Sequence, residues 1–281
     1  MVERSDDVIV AVDSSEGSTA AAIWAATEAH SRGCDLTIVH VCPAVICGRW
    51  TPRRVVEAQL RRIYRPMVAS ARAVALSSQP TLNIRTQILL GSPAPVLVSL
   101  SRRAQLLVVG WTGTGSLGEW LLGSVPQRLM ANAACPVVAV NQTAKPDRVV
   151  VAIDEPSRHR AVLDFATEIA ARQHVAMRVI RSESEHPRVT DRDELERGLA
   201  DWQHRFPHLR ISAEIHSGPL ADVLARCAPQ DLLVLGRHRH RPLTPHTVGI
   251  HTRDVLAVVR CPLAVVADVD TAALVEPALT T

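Results

Sequence analysis

Aromatic side chains are scarce: 3% of 281 residues, with two Phe, one Tyr and five Trp. A surface built to stack unpaired bases on aromatic rings is therefore not expected. Lysine is scarcer still. Lys145 is the only one, set between Ala144 and Pro146, which excludes a lysine-dependent phosphate loop or a Schiff-base lysine inside a folded unit. No apolar run approaches the roughly 18 residues that a bilayer span requires. The acidic start Met1-Val2-Glu3-Arg4-Ser5-Asp6-Asp7 runs straight into an apolar stretch and does not read as a signal peptide. Six cysteines without a C-x-x-C pair make no secreted disulfide framework. Cys42 and Cys47 lie close in sequence, but no His or Cys stands nearby at ligand spacing, so they read as free thiols of a cytoplasmic protein.

What is present is small and aliphatic. Apolar residues make up 47% and charged residues 21%, a globular composition too apolar for disorder. The net charge of +3 splits unevenly, the first half being basic and the second slightly acidic. Neither half is basic enough to imply nucleic-acid binding, and no membrane partner is expected.

The chain repeats itself. Val8-Ile9-Val10-Ala11-Val12-Asp13 recurs as Val149-Val150-Val151-Ala152-Ile153-Asp154. Leu106-Leu107-Val108-Val109-Gly110 recurs as Leu232-Leu233-Val234-Leu235-Gly236, and Cys135-Pro136-Val137 as Cys261-Pro262-Leu263. Three landmarks in one order define two tandem units, residues 1–142 and 148–269, with a linker at 143–147 and a tail at 270–281. Each unit reads as alternating strands and helices. In the first, strands are expected at Val8–Val12, Leu36–Val41, Leu82–Leu89, Leu106–Val109 and Pro136–Val140. Helices are expected at Ser18–Arg32, Arg53–Ser77, Pro93–Arg102 and from Ser124, with Pro66 kinking or splitting the second. This alternation is an α/β pattern: an open parallel sheet with helices on both faces. The last strands of the two units are short and apolar, and are expected to cover one another as an internal pseudo-dimer.

Ligands of such sheets bind beyond the carboxyl ends of the strands, where the strand order reverses. Asp13, Val41 and Gly110 end the first, second and fourth strands. After Gly110 the spacing is Gly110-x2-Gly113-x9-Gly123-Ser124. Glycines let a backbone approach a phosphate, and a helix opening at Gly123-Ser124 offers free N–H groups to an anion. Ser124 and Gln127 have capping-box spacing, with Pro126 tolerated in the first turn. Taken alone, Asp13 also reads as the cap of the turn Asp13-Ser14-Ser15. The arginines 53, 54, 61, 62 and 65 read as a solvated helix face.

This constellation resembles the ATP-binding branch of the universal stress protein family, whose pattern G-x2-G-x9-G-[S/T] is met by Gly110, Gly113, Gly123 and Ser124. Both repeats resemble the domain, as in tandem members. The resemblance implies an adenine nucleotide alpha-hydrolase-like fold with a five-stranded parallel sheet per domain. It implies ATP, with or without Mg, in the first domain: phosphates on Gly113, Gly123 and Ser124, ribose near Gly110, base near Asp13 and the Val41 backbone, with Val125 also among the binding residues. It further implies a homo-oligomer built on the internal pseudo-dimer. Gln105 departs from the family, which has Asp before strand four; Asp231 keeps it in the second copy. In that copy Gly236 and Gly249 persist, but Arg239 replaces the second glycine and Ile250 the Ser/Thr. The second domain is therefore expected to lack ATP, although Arg237, Arg239 and Arg241 offer charge to an anion. Ten of the twelve histidines lie in the second half, but no H-E-x-x-H pair supports a metal. The expected function is a nucleotide-binding regulator without efficient catalysis. A slow ATPase or nucleotidyl or phosphoryl transferase, and a ligand-free scaffold, are the alternatives.

Overall fold

The computed structural model describes residues 7–42, 53–111, 122–141, 145–153, 155–183, 189–218, 222, 224–237 and 259–267. The first half runs β1 (Val8–Ala11), α1 (Glu16–Arg32), β2 (Leu36–Cys42), α2 (Arg53–Ser78), β3 (Ile84–Leu90), α3 (Pro93–Ser101), β4 (Leu106–Gly110), α4 (Ser124–Asn132) and β5 (Val137–Val140). The second half supplies β6 (Arg148–Ile153), α5 (Arg160–Gln173), β7 (Ala176–Glu183), α6 (Val189–Gly198), α7 (Ala200–Arg205), β8 (Ile211–Ser217), β9 (Asp231–Arg237) and β10 (Leu263–Ala267).

The described strands form one ten-stranded sheet in the order β3-β2-β1-β4-β5-β10-β9-β6-β7-β8. Within each half every described pairing is parallel. In the central strands β1, β4, β6 and β9, apolar runs without polar alternation fit this, because such strands are covered on both faces; the outer strands β3 and β8 carry polar, partly exposed residues. The halves meet through β5 and β10, which pair antiparallel with Leu263 opposite Ala139 and Val265 opposite Val137. The two apolar last strands thus cover each other's edge, as the sequence predicts, and fuse two parallel sheets into one.

Strand residues alternate between two cores. Val8, Val10, Leu36 and Ile38 face α1 and α2, together with Val162, Leu163 and Ile169 of α5. Ile9, Val39, Leu107 and Val109 face the other side, against Leu97 of α3 and Leu129 and Met130 of α4. With few rings available, this layer is built from Val, Leu, Ile and Ala at close-packed density.

One local expectation is narrowed and one is corrected. Helix α2 is continuous from Arg53 to Ser78 with Pro66 inside it, not split there. Pro66 is exposed, so the carbonyl that loses its partner faces water and the break is tolerated. Ser124 and Gln127 do not make a capping box. The N-cap is Gly123, with φ −62° and ψ 161°, and Ser124 is the first helical residue. The Gln127 side-chain amide donates to the Leu122 carbonyl at 2.7 Å, tying the helix start to the chain that enters it.

Candidate functional site

The strand order reverses between β1 and β4, leaving a crevice at their carboxyl ends. Asp13 follows β1 there. Its Oδ1 accepts from the Ser15 amide at 2.9 Å, the Ser15 hydroxyl at 2.5 Å and the Ser18 hydroxyl at 2.7 Å. The Asp13 amide in turn donates to Ser18 Oγ at 2.7 Å. Asp13 is therefore the turn residue that its sequence context suggests, yet all three bonds fall on one oxygen. Oδ2 takes none of them. Ser18, buried in the first turn of α1, holds the carboxylate from below; the spacing D-x4-S is its signal in the sequence.

Partial burial alone would raise the Asp13 pKa. The Ser15 and Ser18 hydroxyls, the Ser15 amide and the nearby His40 outweigh it, and the pKa falls below the usual carboxylate value. Because the folded-state pKa is depressed, the carboxylate's contribution to stability is present above the unfolded pKa, near 3.9. It is lost as pH falls through the lower folded value. Denaturation midpoints of the protein and of Asp13→Asn, measured from about pH 7 to pH 2, should differ at neutral pH and converge at the acid end. A constant difference across that range would contradict the assignment.

Val41 contributes its backbone. In β2 the odd-numbered residues bond towards β1: Val8 donates to the Asp35 carbonyl at 3.1 Å and Val12 to Val39 at 2.9 Å. The even-numbered residues bond towards β3, as Gly91 does to Cys42 at 2.9 Å. Val41 therefore turns its N–H and C=O to the β1 side, beyond the point where β1 has already left the sheet. That is one donor and one acceptor, side by side, beside Asp13. Its side chain is buried in the core layer.

Gly110 ends β4, and the structure gives it a packing reason. A Cβ there would stand 2.5 Å from the Gly17 carbonyl carbon and 2.7 Å from its oxygen. Gly17 is equally constrained, its own Cβ falling 3.0 Å from the Trp111 carbonyl. The two glycines let the first turn of α1 close onto the end of β4, which fixes Ser18 and with it Asp13. Gly17 was not singled out from sequence; its position one turn after Asp13 was the available clue. Trp111 continues the chain, donating its amide to Val140 at 2.7 Å, while its buried indole N–H finds no partner among the described residues.

Helix α4 returns the chain from this end of the sheet to β5, so its N-terminus lies at the carboxyl end of the strands. Gly123 is extended, Ser124 is exposed, and no acidic residue stands in the first turn. Pro126 has no N–H to satisfy, which leaves the Ser124 and Val125 amides as the open donors. Asp13, Val41, Gly110, Gly123, Ser124 and Val125 are thus brought to one end of one half. Gly113 lies outside the described residues.

In the second half Gly236 sits within β9, and Arg239, Gly249, Ile250 and Asp154 lie outside the described residues. Arg237 donates to the Met130 carbonyl at the end of α4, at 3.3 Å, so its guanidinium serves the contact between halves. Asp231 accepts from Arg148 at 2.8 and 3.2 Å and from the Ala228 amide at 2.9 Å. It is a structural anchor at the amino end of β9, away from the crevice, and the exchange for Gln105 in the first half therefore leaves the site untouched. No described helix is long and apolar enough to cross a membrane.

Comparison with known proteins gives the family. The model of the universal stress protein family matches residues 5–141 and again 146–267. A universal stress protein of Mycobacterium tuberculosis is 30% identical, over 93% of this chain and 97% of its own. One from Mycolicibacterium smegmatis is 31% identical, over 92% and 96%. Among solved structures, a universal stress protein from Archaeoglobus fulgidus superposes with a TM-score of 0.74 at 15% identity, covering 94% of this chain and 99% of that one.

Proposed function

The chain belongs to the universal stress protein family, and on that premise we propose that its first half binds ATP as a regulatory ligand without turning it over efficiently. The observation that carries this reading is the convergence of three unlike features at the crevice between β1 and β4. The Val41 edge offers one N–H and one C=O, a pattern complementary to the Watson–Crick edge of adenine. Asp13 Oδ2 adds a second acceptor, held in place by Ser15 and Ser18. The α4 N-terminus presents amides and the helix dipole to phosphate.

A bound nucleotide supplies charge and hydrogen-bond acceptors at that helix end, and a Mg ion would share the phosphate charge. The protein's part is orientation: Gly123 brings the backbone close, and the Ser124 hydroxyl stands ready to donate. Binding acts on partners through its differential affinity for two states of the protein. The second half, with Arg239 and Ile250 in the phosphate motif, is read as a pseudo-partner that holds no ATP.

Phosphoryl transfer needs a placed nucleophile and a charge clamp on the γ-phosphate, and the first-half motif provides neither. ATP incubated with the full chain should remain intact for hours by chromatography. Hydrolysis faster than about 1 per second, abolished in Ser124→Ala, would overturn the regulatory reading in favour of an enzyme.

A further inference from the structure

Among the positions at which the two halves differ, one pair remote from the nucleotide crevice brings thiols together. In the first half Ser101, at the end of α3, accepts from the Ala134 amide at 2.8 Å, next to Cys135. The repeat places Cys227 where Ser101 stands and Cys261 where Cys135 stands. The same juxtaposition in the second half therefore brings together two thiols. Cys227 is partly exposed, in the turn ahead of β9, with its amide bonded to the Leu224 carbonyl at 3.2 Å. Cys261 is buried at the entry to β10, and Cys227 packs against the core cluster that contains it. The two thiols lie close enough for each to bear on the other's ionisation.

We propose that Cys227 and Cys261 form a peroxide-reactive dithiol, a modification site in which the partly exposed Cys227 is attacked first and the buried Cys261 resolves it. The polarity of the pair follows from its surroundings. The neighbouring Cys261 thiol favours the Cys227 thiolate; burial and Asp231 oppose it, Arg178 and Arg148 add positive charge, and the pKa is lowered. Cys261 is pushed up by its proximity to Cys227 and by burial, and stays a thiol. Cys135 is raised to about 12 by burial, and Cys34 and Cys42 are raised as well, chiefly by burial. Among the described cysteines only Cys227 combines access with a favoured thiolate.

The chemistry balances with a hydroperoxide as oxidant. The Cys227 thiolate attacks one oxygen of hydrogen peroxide, the S–O bond forming as the O–O bond breaks and hydroxide leaves as water. The Cys261 thiol then gives up its proton and attacks the Cys227 sulfenic sulfur; the S–S bond forms, the S–O bond breaks, and the oxygen departs as a second water. Two thiols are oxidised and one peroxide is reduced. The resulting disulfide ties the chain ahead of β9 to the chain ahead of β10. It lies beside the seam between halves, where the Asn141 side chain donates to the Arg260 carbonyl at 2.8 Å.

The test is a non-reducing tryptic map of the full chain after exposure to hydrogen peroxide. Cleavage after Arg226, Arg237 and Arg260 should yield peptide 227–237 linked to the peptide that begins at Cys261. Before oxidation, Cys227 should alkylate at least about tenfold faster than Cys135. In Cys261→Ser the sulfenic acid should persist at Cys227 and be captured by a dimedone-type probe. Cys227→Ser, which recreates the Ser101–Cys135 arrangement, should fold normally and leave Cys261 reduced. Overturning results are both thiols intact after free cysteine in the same tube is oxidised, Cys227 linked to a different cysteine, or no captured sulfenic acid in Cys261→Ser. The wild-type map decides the matter even where a variant fails to fold.

Discussion

Replacing Glu28 with alanine is expected to destabilise the protein by about 3–5 kcal/mol, the range for removing one partner of a buried ion pair. Glu28 lies on α1, fully buried, and its carboxylate accepts from Arg32 Nε at 2.6 Å within its own helix. From the other half it accepts from Arg172 Nη2 at 3.3 Å and Gln173 Nε2 at 3.2 Å, both at the end of α5. It is thus the shared acceptor across the seam. The guanidinium groups are already strained for partners, Arg32 Nη2 and Arg172 Nε being buried without one among the described residues. Without the carboxylate the two arginines lose their shared acceptor; Arg172 keeps Glu168 at 3.4 Å, and Arg32 keeps its packing over Phe165 at 5.8 Å. The repeat puts Ile169, equally buried, at the corresponding place in α5, so the second half has no matching carboxylate there. Glu28→Gln keeps the acceptor oxygen and should lose less. Urea denaturation of both variants measures this; a loss under about 1 kcal/mol for alanine would mean that the cluster is solvated and adds little to the contact between the halves.

The second large effect is expected at Gly110. An alanine Cβ there meets the Gly17 backbone at 2.5 and 2.7 Å and the Ser18 amide nitrogen at 3.0 Å. None of these atoms is the free end of a side chain, so α1 must back away from β4. Overpacking of this kind costs about 1–3 kcal/mol. Because Ser18 holds Asp13, the displacement should also weaken nucleotide binding, by at least about tenfold or 1.4 kcal/mol. Gly33→Ala separates the two consequences. Gly33 sits in the left-handed region at φ 66° with open space around it, so alanine there strains the backbone by about 1–2 kcal/mol and leaves the crevice alone. Equal loss of affinity in both variants would show that the effect at Gly110 is general destabilisation.

The architecture was legible because its signals are local and repeated. Apolar runs ending at Asp13, Val41 and Gly110 mark buried parallel strands, and the duplicated Cys-Pro strand entries point to the edges that pair. Most of the crevice followed from where those strands end. Pairwise fits between distant elements were not legible. Glu28 sits in an alanine-rich helix with nothing in its neighbourhood to name Arg172 as a partner across the repeat. Gly17 looks like one small residue among several, and only the fold shows it against Gly110. The capping box failed for a related reason. Its spacing is correct, but Gly123 takes the cap position and the Gln127 amide bonds the Leu122 carbonyl instead. At Asp13 two readings that looked exclusive are compatible, because one oxygen caps the turn and the other is left for a ligand.

The most direct measurement is a calorimetric titration of the full chain with ATP, beside Gly113→Glu. The account predicts one nucleotide per chain, with affinity in the variant reduced at least about tenfold by a carboxylate set against the phosphates. Two nucleotides per chain, or unchanged affinity in Gly113→Glu, would contradict a single site in the first half.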